Sequence, residues 1–214
     1  MSKTLAKIAA CALLLAAAGG TPAQADGVCR VESLDSGASA SLPLGRYADH
    51  YTVGPGASIR LNTGFRELPL ELSARLQVAY LIEDNPYLDA LFSTSAVVEA
   101  GWPIVLAGGP VTLVPRLGAG FLGHVARGEL NTGEPSTKHR FYPDQIYSVR
   151  LELGFTPWRD GESDARAGAY LAPGFSLFPN QGAVGTLVTL EAGVRFRLGS
   201  HETTTPTPLA EVTQ

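Results

Sequence analysis

Arginine and glutamate recur at alternate positions in this chain, close enough to neutralise one another if the backbone between them is extended. Arg150 and Glu152 are two residues apart, and Glu71 and Arg75, like Glu191 and Arg195, are four apart. At a side-chain period of two, each pair falls on one face of a strand. Carboxylates facing guanidinium groups form strong, charge-assisted hydrogen bonds, so the chemistry on offer is ion pairing. Group transfer would need a nucleophile, a base and an orienting acid. His124, Ser136 and His139, with Glu129 and Glu134, all fall within 123–143, but no spacing ties them together, and histidines in a loop read as solvated side chains. The same histidines and Cys29 lack metal-ligand spacing, and Gly118-Ala119-Gly120 opens no helix that could cradle a phosphate. The chain reads as a non-enzyme with no cofactor.

The elements that hold these charges are strands. The alternation is clearest over 70–81, where Leu70, Leu72, Ala74, Leu76, Val78 and Tyr80 oppose Glu71, Ser73, Arg75 and Gln77; a helix would scatter those polar residues around its axis. The same division predicts strands over 56–65, 92–106, 111–122, 145–155, 165–177 and 186–196. A less regular one covers 36–44, where Pro43 belongs near a strand end because it has no N–H for the ladder. The connections fall at 45–55, 66–69, 82–89, 107–110, 123–143, 156–164 and 178–183. Eight strands joined in sequence predict an all-β, up-and-down antiparallel barrel.

The polar faces together hold Arg60, Arg75, Arg116, Arg150, Arg166 and Arg195 with Glu71, Glu99, Glu152 and Glu191, a net charge of +2. No charged residue falls on the apolar face of the seven regular strands. Parity alone leaves two arrangements open: a membrane barrel with charges inside, or a secreted, lipocalin-like soluble barrel with a ligand cavity. The aromatics favour the first. With strands alternating in direction, Tyr80, Phe92, Phe121, Tyr147 and Phe175 fall at one rim and Phe65, Trp102, Phe155 and Phe196 at the other, all on the apolar face. Paired aromatic girdles are what two bilayer interfaces select.

Composition agrees. Met1 to Ala25 has a basic start at Lys3 and Lys7, a short apolar core and an Ala23-Gln24-Ala25 cleavage signal, and reads as an export leader. That core is too short to span hydrocarbon, and Cys11 lies too close to Lys7 for a lipoprotein signal. Residues 26–35 read as a lead-in, 36–198 as the barrel, and 199–214 as a Thr/Pro-rich tail too poor in apolar residues to fold. Cys29 is then the single cysteine outside the leader, which allows no intramolecular disulfide. Beyond the leader, Lys138 and thirteen arginines meet twenty acidic residues, net −6, and nothing suggests nucleic-acid binding.

At this point the chain resembles the small eight-stranded outer-membrane barrels of Gram-negative-type bacteria, the OmpA-barrel, OmpX and OmpW group. The resemblance covers 36–196 and rests on the leader, the alternating hairpins, Pro115-Arg116-Leu117-Gly118-Ala119-Gly120-Phe121 and the final strand with its aromatic end. It departs from that group where Phe196 is followed by Arg197 and a tail, and the tail is too short for a peptidoglycan-binding domain. The resemblance implies an outer-membrane location, contact with outer-membrane lipid, insertion by the barrel-assembly machinery and a monomeric state. The expected role is structural or surface-interacting, with a lumen filled by the Arg/Glu network and a ligand met by the external loops. The alternative is a narrow, porin-like channel whose +2 interior would favour small anions.

Overall fold

The computed structural model describes residues 29–45, 48–49, 51–65, 68–82, 91–106, 109–127, 139–157, 166–180 and 183–198. The expected leader and tail lie outside them. Eight long strands form the wall: β1 (Cys29–Leu44), β2 (Gly54–Phe65), β3 (Glu71–Leu81), β4 (Leu91–Gly101), β6 (Val111–Arg127), β7 (His139–Phe155), β8 (Ala167–Asn180) and β9 (Ala183–Arg197), with a two-residue β5 (Ile104–Val105) between β4 and β6. Consecutive long strands pair antiparallel, and β1 pairs with β9 through registers such as Ala38↔Ala192, which closes the barrel. Closure leaves no sheet edge to satisfy.

Alternation along each strand sets the two faces. In β7, Ile146, Ser148, Arg150, Glu152 and Gly154 are buried, while Tyr147, Val149, Leu151, Leu153 and Phe155 are exposed. The large apolar side chains therefore cover the outside and the charges fill the inside. That is the reverse of a soluble ligand-binding barrel, and the lipocalin-like alternative falls with it.

Prolines mark where the ladder gives way. The single strand expected over 92–106 is broken at Pro103, leaving β5 to continue along β6 through Ile104↔Leu113 and Val105↔Thr112. Between β7 and β8 the pairing is interrupted from Arg150↔Gly174 to Leu153↔Leu171, opposite Pro173, which has no N–H to donate. Pro115 sits within β6, facing outward, and its carbonyl accepts from the Trp102 N–H at 3.1 Å.

Several boundaries differ from expectation, each through pairing with a longer neighbour. β1 begins at Cys29, so most of the supposed lead-in is wall. Cys29 pairs with Phe65, and Ser33 with both Asn62 and Arg197. A bulge between Val31 and Ser33 displaces Glu32, whose carboxylate lies over Gly64, where any Cβ would strike it. The expected long loop at 123–143 gives way to hairpin at both of its ends: β6 and β7 stay paired out to Arg127↔His139. The expected connection at 178–183 likewise shrinks, since Phe178, Pro179 and Asn180 pair with Gly185, Val184 and Ala183. Cys29 and Arg197 mark the barrel's terminal end, and the β1–β2, β3–β4, β6–β7 and β8–β9 connections mark its loop end.

Candidate functional site: the filled lumen

The lumen is occupied along its length by two chemically distinct layers. Nearer the terminal end is a belt of ion pairs to which every long strand except β8 contributes a charge. Asp35 on β1 lies between Arg60 on β2 and Arg195 on β9: Arg60 Nε donates to it at 3.0 Å, and Arg195 donates through Nε and an Nη, both at 2.8 Å. Glu152 on β7 pairs with Arg60, with Arg116 on β6 at 3.1 Å and with Arg195 at 2.6 Å. Arg116 also reaches Glu71 on β3 at 2.8 Å and donates to Ser73 Oγ at 2.8 Å. Glu99 on β4 receives Arg75 at 3.0 Å and Arg150 at 3.4 Å, while Glu191 on β9 receives Arg150 at 2.9 Å.

Tyr170 on β8 completes the belt. Its hydroxyl donates to Glu191 at 2.8 Å, and the Arg60 and Arg195 guanidiniums lie 5.0 and 5.9 Å from its ring centre, within cation–π range. The side chain lies against Gly37 and Gly193: a Cβ on Gly37 would strike its hydroxyl, and one on Gly193 its ring edge.

Nine of the ten charges expected on the polar face lie in this belt. The tenth, Arg166, is exposed just ahead of β8, so parity assigned it to a strand that had not begun. Asp35 joins the belt because β1 begins at Cys29, seven residues ahead of the strand expected from Ser36. The two corrections have one electrostatic consequence: the belt holds five arginines and five carboxylates, so the expected +2 becomes zero. The basis for an anion preference disappears with it.

Toward the loop end the lumen turns apolar. Tyr51, Leu81, Val97, Leu122, Ile146, Phe178 and Leu187 pack together as a buried cluster. Leu81 ends β3, Phe178 lies two residues before the end of β8, and Tyr51 enters from the β1–β2 connection. His124, expected as a solvated loop histidine, is instead fully buried on β6, with Nδ1 2.8 Å from Ser93 Oγ and its ring 5.4 Å from that of Phe178. The signal for this layer was visible in part, since Val97, Ile146 and Leu187 share the charged parity of their strands.

The outer surface carries the aromatics. Tyr80, Phe92, Trp102, Phe121, Tyr147, Phe155, Phe175 and Phe196 are exposed, and Phe65 is half-buried at the end of β2. Tyr80 pairs directly with Phe92. Strands β6 and β7 continue past Phe121 and Tyr147, and Phe141 on that extension packs 6.3 Å from Phe121 across Gly123. Among the described residues no group of three or more His, Cys, Asp or Glu is placed to hold a metal ion.

No protein family matches this sequence, and no curated protein matches it. Solved structures do. Neisserial surface protein A (NspA) aligns with a TM-score of 0.54 at 16% identity, over 79% of this chain and 98% of that one. Ail, the attachment invasion locus protein of Yersinia pestis, aligns at 0.48 and 13% identity over 79% of this chain and 99% of its own. The N-terminal β-barrel domain of Pseudomonas aeruginosa OprF aligns at 0.42 and 13% identity over 77% and 97%. In its closed ring of eight antiparallel strands, the chain has the fold of the small outer-membrane β-barrel proteins.

Proposed function

We propose that this protein is an integral, non-enzymatic barrel of the outer membrane, a closed anchor that presents its loop end to a ligand at the cell surface. The observation that carries this reading is the inverted distribution of side chains. Ten charged groups of the belt are buried in the lumen, while Leu117, Leu76 and Val149 are 65%, 58% and 55% exposed on the outside. In water such a surface would associate; facing hydrocarbon it needs no cover. The balanced belt and the apolar cluster support a lumen without a wide pore, as expected for a barrel of this width. The extension of β6 and β7 from Phe121 to Arg127 rises about 20 Å along the strand beyond the aromatic level, which makes that hairpin the natural contact surface. Export by a leader, insertion by the barrel-assembly machinery and a monomeric state complete the proposal.

The test is the gel mobility of refolded protein, residues 26–214, in mild detergent with and without boiling. A compact band that slows on heating, with β-rich circular dichroism, is expected. Protein that stays monodisperse without detergent refutes the membrane reading. Single-channel recordings address the narrow-channel alternative: reproducible steps that vanish when Arg150 is neutralised would replace the closed anchor with a small-solute pore.

A further inference from the structure

The apolar cluster is topped by a side chain that can take up a proton. His124 follows Leu122 on the inner face of β6 and is fully buried. Its Nδ1 lies 2.8 Å from Ser93 Oγ and its ring centre 5.4 Å from that of Phe178. On β7, Tyr142 is its rung partner, with Asp144 and Arg140 two residues to either side. Tyr51 enters the same cluster from the β1–β2 connection, while β4 and β8 bring the uncharged Ser93 and Phe178. Asp144 is the one acid among these groups and is half-buried on the rung of Leu122. Burial among such side chains penalises an imidazolium. His124 stands on the β6–β7 extension, above Phe121 and so outside the hydrocarbon, and burial pushes its imidazole down from the ordinary 6.5 to about 4.

The backbone around His124 is thinly supported. The described pairings of β4 with β6 end at Phe92↔Val125, and those of β7 with β8 at Tyr147↔Leu177. Among the described residues, β7 beyond Tyr147 therefore runs with β6 alone, and a two-stranded ribbon is marginally stable by itself. The rung next to His124 pairs Gly123 with Pro143, so one partner has no N–H to give and the other no side chain to stiffen it. The ribbon's inner face offsets this weakness, because Leu122 and His124 are both buried in the cap of the lumen.

We propose that His124 is an acid-sensitive latch: uncharged, it seats the β6–β7 ribbon on the cap of the lumen; protonated, it leaves the cap for water, and the ribbon swings outward at the Gly123↔Pro143 rung while the belt below stays closed. A released imidazole has its ordinary pKa of about 6.5, whereas the seated one has a pKa of about 4. The latch is therefore at full strength above about pH 6.5 and is lost as the pH falls through about 4. With these two values the ratio of released to seated ribbon rises about a hundredfold between pH 7 and pH 4. This rests on the membrane-barrel reading and deepens it, because acid then changes the shape that the loop end presents.

Amide hydrogen exchange of the refolded barrel, residues 26–214, is followed by mass spectrometry at pH 7 and pH 4, each rate being divided by that of an unstructured peptide at the same pH. Peptides covering 121–127 and 139–143 are expected to lose protection about a hundredfold at pH 4, while 147–155 keeps its own. His124→Gln, which still offers Ser93 an amide, and His124→Phe, which keeps an uncharged ring beside Phe178, are expected to hold the ribbon's protection at both pH values; either serves where the other fails to refold. An equal loss in parent and variant, a ribbon already unprotected at pH 7, or a loss that spreads to 147–155 overturns the latch. Nuclear magnetic resonance of the parent alone gives a second reading: if the imidazoles of His50, His124, His139 and His201 all titrate near 6.5, the latch is overturned. A parent protein without heat-modifiable mobility refutes the barrel itself, an outcome independent of any exchange rate at pH 4.

Discussion

Replacing Glu152 with alanine removes the carboxylate shared by three guanidiniums, those of Arg60, Arg116 and Arg195. At about 3 Å and an effective dielectric of about 20, one such pair carries roughly 5–6 kcal/mol of gross attraction, most of which offsets the loss of hydration. The variant keeps the desolvated arginines and loses their compensation. Asp35 still holds Arg60 and Arg195, and Glu71 still holds Arg116, so the loss is a fraction of the gross attraction, about 3–5 kcal/mol. With a urea slope of about 2 kcal/mol per molar, the unfolding midpoint should fall by about 1.5–2.5 M. The assay is urea unfolding of the barrel refolded in lipid vesicles, read by tryptophan fluorescence and by loss of the compact gel band. Arg166→Ala is the matched control, because Arg166 is exposed outside the belt and should change stability by no more than about 0.5 kcal/mol. The reasoning is refuted if Glu152→Ala unfolds at the parent's midpoint, or if Arg166→Ala lowers it as far.

Asp35→Asn should also cost about 3–5 kcal/mol in the same urea titration, since Arg195 would then depend on Glu152, and Arg60 on Glu152 and the more distant Glu99 at 3.8 Å; a loss below about 1 kcal/mol would remove Asp35 from the belt. Leu117→Arg places a charge on the outer wall and should cost about 2–4 kcal/mol or block insertion, whereas a soluble barrel would tolerate it. Tyr170→Phe removes the hydroxyl donated to Glu191 at 2.8 Å and should lose about 1–3 kcal/mol, with the ring still seated against Gly37 and Gly193. Because the belt is buried, raising NaCl from about 0.01 to 1 M, which shortens the screening length from about 30 to 3 Å, should move the parent's urea midpoint little. A steep fall would mean that water and ions reach the ion pairs.

The faces of this barrel were legible in the sequence because side chains alternate strictly along a strand. Once Arg150 and Glu152 share a parity, with Val149 and Leu151 on the other, no later packing can separate the first two or mix them with the second. The aromatic side chains resolved which face is outside, since an exposed ring at each end of an apolar band suits two interfaces.

Length and cross-lumen neighbourhood were a different matter. β1 starts at Cys29 because β2 extends to Phe65 to receive it, while β9 joins from Ser33↔Arg197, and residues 29–35 alone, with polar and apolar side chains mixed on both parities, carry no such signal. The β6–β7 hairpin continues past Gly123 for the same reason: each added rung is closed by a partner on the other strand, from Gly123↔Pro143 out to Arg127↔His139. Which carboxylate meets which guanidinium is more remote still. Asp35 and Arg195 are 160 residues apart in sequence, and they meet only because the first strand pairs with the last. Alternation is a property of the extended backbone and is written locally; the register of a closed ring is fixed jointly by all its strands, so the partners within the belt and the placement of Tyr51 in the mouth exist only in the tertiary structure.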